Sequence, residues 1–313
     1  MVHPTQVARR WGRRVLPKKV RDPVLIWHEF LLDARSYSKS AAAHRGQATA
    51  DSLEARLTMD YHKIEKSLTL PEPRRPFGLT VEQRMKSLMS AAGEQDREKA
   101  YFAYSSDALT ALAAWNSEGN VDARVAPQYV STFAGLVPET AELFFASRRS
   151  TRNFDLAHPP DPAVVLHAAR LAGHSPSVCN RQASCLHLFH DRETVRQLLA
   201  HQRGNAGFGP TIPMLGIVTV RRGLFVGPGE RNQRWVDGGL FAMTFVWALH
   251  ALGVQSCMLN WSMPNRATAA LRRTAGIDDG EDVIVLVAIG HRTGGSRVAR
   301  SERRPAADFI TLT

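Results

Sequence analysis

Apolar residues in the first part of the chain recur at three- and four-residue spacing. From Pro23 to Leu68 this spacing predicts mostly helix. Pro71, Pro73 and Pro76 then interrupt it, and the stretch Leu70 to Gly78 reads as extended backbone. Thr80, with Gln83 three positions on, reads as an N-cap opening a helix that runs to about Ala92. A further helix is predicted over roughly Asp96 to Glu118. Residues 1–140 are therefore expected to form an all-helical N-terminal extension with loops.

The pattern changes from Pro138 onward. Glu139 to Ala146 reads as a helix, and Asp161-Pro162 opens another that ends at Gly173, with proline in the first turn. Cys185 to His190 alternates and reads as a strand, and Glu193 to His201 reads as a short helix. A glycine-rich loop over Gly204 to Gly209 leads into an apolar, β-branched strand from Ile212 to Arg221. Trp235 to Gly253 is a long helix, apolar on nearly all faces, which implies protein packed on both of its sides. A strand over Val254 to Leu259, a helix from Arg266 to a glycine stop at Gly276, and an apolar strand over Val283 to Ile289 follow. Interspersed helices and strands give an α+β or α/β domain over 141–313, with a mixed central sheet flanked by helices; α+β is the class expected here.

Composition narrows the classes. The chain has 313 residues, 44% of them hydrophobic, which suffices for a sizeable core. No apolar run reaches the roughly 18 residues that span a bilayer. Gly238 to Leu252 is the longest apolar-rich stretch, and His250 breaks it. No signal-peptide core opens the sequence, so the expected location is the cytoplasm. Cys179, Cys185 and Cys257 form no CxxC pair and lack the grouped histidines of a zinc site, so no metal is expected.

The net charge is +11. Basic residues are not interleaved with aromatics on one stripe, so nucleic acid is not an expected partner. Residues 1–24 hold Arg9, Arg10, Arg13, Arg14, Lys18, Lys19 and Arg21 against the single acid Asp22. Such a segment is a solvated or subunit-contacting tail, or an arm that touches a membrane surface or partner.

Two short segments carry candidate chemistry. In Ser147 to Phe154, Arg148, Arg149 and Arg152 lie within five positions, with Ser150 among them. Guanidinium forks match phosphate oxygens, and a serine hydroxyl adds a neutral donor. On spacing alone, a solvated basic face is an equal reading. In Ser175 to Gln182, Pro176 fixes the backbone, while Ser177 and Asn180 offer polar groups to a ring edge. A plain capped loop accounts for that segment taken alone.

Taken in order, these segments resemble the nitroreductase family of FMN-dependent oxidoreductases. The resemblance covers about 145–313. It rests on Arg148 to Phe154, Pro176 to Gln182, the helix Trp235 to Gly253, the strand region Val254 to Trp261, and Val283 to His291 with its closing Gly-His. It implies a homodimer with two FMN sites at the subunit interface, reduced by NAD(P)H and passing electrons to a small-molecule acceptor. By position, Arg148, Arg149 and Ser150 would hold the phosphate and ribityl chain. Arg152 would lie near the pyrimidine side, where a fixed cation stabilises the anionic reduced ring. Pro176, Ser177, Val178 and Asn180 would come from the second subunit, with Gln182 close behind. Asn205 matches a side chain at the polar edge of the ring. Leu259, Asn260 and Trp261 match the segment facing the reactive nitrogen, and Arg303 matches a late basic residue at the phosphate. No protein acid or base is assigned.

There are departures from the family pattern. Asn260 and Trp261 stand where many members have an acidic residue and a glycine, and Ala183 replaces a proline after Gln182. Trp261 is a stacking or space-filling residue, or an ordinary core tryptophan. Cys179 reads as a packed thiol rather than a redox group. The stretch Asp60 to Lys66, with Leu68 to Gly78, looks like the leader of a subgroup seen in bacterial polysaccharide contexts. Tyr61, His62 and Lys63 there either pack an extra helical layer or border the cleft. Two further readings stay open: a flavin-dependent dehydrogenase or dehalogenase that uses no NAD(P)H, and a non-enzymatic scaffold of a biosynthetic or envelope complex.

Overall fold

Helix-forming apolar stripes and short β-branched runs settle into two compact units. In this computed structural model the described residues are 18–40, 50–128 and 135–313. Most of the basic N-terminal run, through Arg14, lies outside them, as does part of the predicted helical span between Pro23 and Leu68. The first unit takes its described residues from Met1–Ala126, Arg221–Arg234 and Ser262–Asp282, and the second from Pro127–Val220, Trp235–Trp261 and Val283–Thr313.

The first unit is helical: α1 (Lys18–Ser40), α2 (Ala50–Leu68), α3 (Leu79–Ser90), the short α4 (Glu94–Arg97), α5 (Ala100–Glu118) and a later α10 (Asn265–Ala275). Leu57, Tyr61, Ile64 and Leu68 recur at helical spacing on α2 and bury against Ala108, Ala111 and Leu112 of α5 and Met85 of α3. The proline-rich segment is tied to α5. Asn116 accepts from the Phe77 amide at 2.9 Å and donates to its carbonyl at 3.0 Å, and Trp115 Nε1 donates to the Arg74 carbonyl at 2.8 Å. Buried Asp60 receives both Arg84 Nε and Nη2, at 2.7 and 2.5 Å.

Two predicted boundaries change here. α3 opens at Leu79, so Thr80 sits inside the first turn rather than capping it. Gly78 precedes it at φ 77°, a left-handed conformation open to glycine, which lets the helix begin early. The predicted helix from Asp96 to Glu118 is two, because Lys99 adopts extended backbone (φ −81°, ψ 147°) between α4 and α5.

The second unit carries α6 (Pro138–Ser147), α7 (Pro162–Ala172), α8 (Arg192–Leu199), α9 (Gln233–Ala251) and a four-stranded sheet. Its strands are β1 (Ser184–Phe189), β2 (Met214–Arg221), β3 (Gln255–Asn260) and β4 (Glu281–Gly290), in the order β1-β2-β4-β3. β1 pairs antiparallel with β2, Cys185 opposite Thr219, and β3 with β4, Cys257 opposite Ala288. A parallel contribution comes from the isolated bridge between Ser150 and Ser256. Asp161 caps α7 by accepting from the Ala163 amide at 2.8 Å, and Asp191 caps α8 through the Thr194 amide at 2.8 Å.

The core of this unit joins Val165 and Ala168 of α7, Val218 of β2, Phe245 and Leu249 of α9, and Val287 of β4. β2 is buried over nearly its whole length, as its continuous apolar run implies. α9 departs from expectation. Trp235, Val236 and Leu240 remain partly exposed among the described residues, so the helix is not buried on every side there.

Gly238 lets α9 approach the sheet. A Cβ there would lie 2.5 Å from Ile284 Cγ1 and 2.8 Å from Val220 Cγ2. Gly238→Ala is expected to destabilise the protein by about 1–3 kcal/mol, the usual range for overpacking. Chemical denaturation checks this, and an unchanged midpoint contradicts the close packing.

Among the described residues, no helix is long and apolar enough to cross a membrane.

Candidate functional site

The site begins where α6 ends. Arg148 leaves the helix in extended conformation (φ −65°, ψ 120°), and the chain then runs beside β3. Ser150 bridges Ser256, and the Thr151 amide donates to the Ser256 carbonyl at 3.0 Å. β3 is the last strand of the sheet, so this segment extends its free edge. Phe154 then bridges Arg292, and the Asp155 amide bonds the His291 carbonyl at 2.9 Å just beyond β4. The Arg-Arg-Ser-x-Arg segment is thus clamped at both ends by backbone hydrogen bonds.

Four cationic side chains gather along it. Burial, then Arg303 and Arg149, push the Arg148 guanidinium below its usual range. The Cys257 thiol acts on Arg148 in the opposite sense. Burial pushes the Cys257 thiol up, while Arg152, a Ser150 hydrogen bond and Arg148 pull it back down. Arg148, Arg149, Ser150, Arg152 and Arg303 therefore converge on one locality. Arg148 also sits over the Trp247 ring at 5.7 Å, within an aromatic group that includes Phe144, Phe145 and His250. Arg149 Nη1 caps the end of α6 by donating to the Ala146 carbonyl. Thr151 Oγ1, inside the same segment, is buried with no hydrogen-bond partner.

The second segment lies elsewhere in the unit. Cys179, Asn180 and Gln182 all take left-handed backbone, at φ 48°, 53° and 48°. Each such residue costs about 1–3 kcal/mol unless its surroundings impose it. Two anchors do so. The Val178 amide donates to Asp237 Oδ2 at 3.1 Å, and the Gln182 amide donates to Ser177 Oγ at 2.9 Å. Gln182 Nε2 reaches the Asn180 side chain at 3.3 Å. Ser175, Pro176, Ser177, Gln182, Asp237 and Phe241 line a cleft of about 120 Å³ here.

The third group is a hydrogen-bonded chain. Asn205 Nδ2 donates to the carbonyls of Leu199 (2.9 Å) and Gln202 (2.7 Å), so its amide hydrogens are engaged within its own loop. Gln202 Nε2 donates to the Asn260 carbonyl at 3.1 Å, which ties this loop to the end of β3. Leu259 is buried, Asn260 exposed and Trp261 half-buried.

A single chain brings the first group together but sets the second apart. Arg148 rests on Trp247, and the Pro-Ser loop hangs from Asp237, ten positions earlier on α9. At the helical rise that is about 15 Å.

Three participants escape the motif reading: Cys257, Trp247 and Asp237. Only strand pairing brings Cys257 beside Ser150. Asp237 did carry a signal, a lone carboxylate in an apolar helix, and it is 2% exposed. In the leader motif, His62 Nδ1 pairs with Glu65 at 2.8 Å, and buried Tyr61 packs edge-on against Tyr104.

Comparison with known proteins bears on this arrangement. Residues 224–291 match the model of the nitroreductase family. No curated protein matches the chain by sequence. Among solved structures, the chain is similar to a nitroreductase family protein from Streptococcus pneumoniae TIGR4 (16% identity, 54% of this chain, 98% of that one, TM-score 0.47). It is also similar to a nitroreductase-like protein from Streptococcus mutans (15%, 56% and 100%, TM-score 0.48). A third is a nitroreductase with bound FMN from Desulfitobacterium hafniense DCB-2 (21%, 57% and 100%, TM-score 0.43). Residues 224–291 are thus similar to the nitroreductase family, within a chain of helices and a four-stranded sheet.

Proposed function

We propose that this chain is an FMN-dependent oxidoreductase that works as a homodimer, with 141–313 as its flavin-binding region. One observation carries the reading: half-buried Arg148 lies beside the Arg149 and Arg303 charges where Ser150 pairs with the free edge of β3, and Thr151 Oγ1 is buried there without a hydrogen-bond partner. A half-buried guanidinium beside like charges is stabilised by an anion, and a phosphate monoester matches its forked donors. The residues therefore fit a phosphorylated ligand.

Arg148, Arg149 and Arg303 would hold the phosphate, with Ser150 as a neutral donor. Arg152 would place fixed positive charge toward the ring. Bound there, FMN supplies electron transfer between a nicotinamide donor and a small-molecule acceptor. The preorganised loop of Pro176, Ser177, Val178, Asn180 and Gln182 would wall the site of a second copy. Its distance from Arg148 along α9 supports that role. So does the exposed face of Trp235, Val236 and Leu240, which a second copy would cover. Leu259, Asn260 and Trp261 would border the ring, with Trp261 restricting the acceptor. Asn205, with its amide hydrogens engaged, would contribute through the loop it holds.

Purified protein is expected to show the absorption bands of oxidised flavin, and anaerobic mixing with NADH or NADPH is expected to bleach them. Retained flavin that neither nucleotide bleaches supports the dehydrogenase or dehalogenase reading instead. Colourless protein that refuses added FMN overturns the proposal and leaves a scaffold role.

A further inference from the structure

His250 interrupts the apolar-rich stretch Gly238 to Leu252 and stands near the end of α9. Its half-buried ring meets the last turn of α6. The last four carbonyls of a helix have no partner within it, and in α6 these include Phe144 and Ala146. His250 Nε2 lies 3.1 Å from the Phe144 carbonyl oxygen, which can only accept, so Nε2 carries the ring hydrogen. The same N–H is shared with Ser147 Oγ at 2.9 Å, and Ser147 Oγ donates in turn to the Phe144 carbonyl at 3.1 Å. Arg149 Nη1 takes the Ala146 carbonyl. The end of α6 is thus closed by side chains, and one of them comes from α9.

Trp247 lies three positions before His250, on the same face of α9. The Arg148 guanidinium sits over its ring at 5.7 Å. Phe144 packs against both, 5.2 Å from the Trp247 ring and 5.1 Å from the His250 ring. Within one turn, α9 therefore supplies a ring beneath the guanidinium and a donor to the helix end from which Arg148 emerges. The donor has little to do for the fold. Ser147 is exposed, and its hydroxyl stays on the Phe144 carbonyl when the ring N–H is removed. Loss of the N–H loosens the exit of α6, on which the direction of Arg148 depends.

We propose that His250 is a positioning residue for the phosphate site: it fixes the end of α6 against α9, so that Arg148 is set over Trp247 before an anion binds. This rests on the reading that Arg148 holds the FMN phosphate.

Fluorescence titration with FMN tests it, on the parent chain, His250→Phe and His250→Gln, and on His250→Phe combined with Arg148→Ala. Phenylalanine keeps a ring in the aromatic group and removes the N–H. It is expected to weaken FMN binding about three- to tenfold, the worth of one hydrogen bond. Glutamine carries its Nε2 the same number of bonds from Cβ as histidine does, and is expected to return affinity to within about twofold of the parent. In the Arg148→Ala background, His250→Phe is expected to change affinity by less than about twofold, because the group it positions is gone. Unchanged affinity in His250→Phe, no rescue by glutamine, or an equal loss in both backgrounds overturns the proposal. So does a large loss of thermal stability in flavin-free His250→Phe, which assigns the residue to the fold. Where the parent binds FMN and Arg148→Ala weakens that binding, such results remove His250 alone and leave the phosphate site standing. A parent chain that refuses FMN removes both.

Discussion

Replacing Asp282 by alanine is expected to destabilise the protein by about 3–5 kcal/mol, the range for breaking a buried ionic group from one side. Asp282 Oδ1 lies 2.6 Å from Arg222 Nη1 and 3.4 Å from Arg272 Nη2, and Oδ2 lies 2.7 Å from Arg234 Nε. These four side chains are only 6% to 14% exposed. One carboxylate thus holds three guanidinium groups in a place where water cannot replace it. Burial, then the Arg222 charge, already push Arg272 below its usual range. Without Asp282 that repulsion is unopposed at close range. Two terms moderate the loss. Asp279 and Glu281 still attract Arg272, and Arg234 keeps its place over the Tyr37 ring at 4.9 Å. A cation–π contact of about 1–2 kcal/mol does not offset a lost buried ion pair. The denaturation midpoint of Asp282→Ala against the parent chain measures the effect. Asp282→Asn separates charge from shape. If asparagine restores most of the stability, the carboxylate acts through hydrogen bonds rather than charge, and the argument fails.

The same cluster shows why some features were legible in the sequence and others were not. Local signals read true. Asp161-Pro162 opens α7 and Gly276 follows α10, because caps and left-handed stops are decided within a turn or two of chain. The apolar, β-branched run of Ile212 to Arg221 announced a strand, and β2 is one, buried over nearly its whole length. Thr80 misled because a better local device, Gly78, sits two residues earlier. Asp282 gave no signal, since its partners Arg222, Arg234 and Arg272 come from separate stretches of chain that only folding unites. The candidate site divides the same way. The arginine and serine spacing at 148–152 is visible in the sequence, and so is the turn chemistry of 175–182. The meeting of Ser150 with Cys257 is set by strand pairing, and Arg303 arrives from the far end of the chain. The exposed side of α9 inverts its sequence signal. Apolar character all round implied burial on both sides, whereas Trp235, Val236 and Leu240 are exposed among the described residues.

Arg148→Ala and Ser150→Ala are expected to weaken retention of FMN by about ten- to a hundredfold each. Removing one hydrogen bond to a charged group is worth about 1.5–3 kcal/mol, which gives that range. The reason to assign this loss to ligand binding lies in what Arg148 does without a ligand. Burial opposes its charge, and Arg303 and Arg149 repel it. Its contact with Trp247, at 5.7 Å and half-exposed, returns about 0.5–1 kcal/mol. These terms act in opposite directions, so Arg148→Ala should leave the stability of flavin-free protein within about 1 kcal/mol of the parent. A residue kept for structure would behave in the opposite way, costing stability whether or not flavin is present. Arg148→Lys sharpens the distinction, because lysine keeps the charge but gives up the forked donor pair. Retention is expected to fall between the parent and the alanine variant. Equilibrium dialysis or fluorescence titration with FMN measures all three variants, and thermal unfolding of flavin-free protein supplies the control. Unchanged FMN affinity in Arg148→Ala, or a large loss of stability without flavin, moves the phosphate site away from the end of α6.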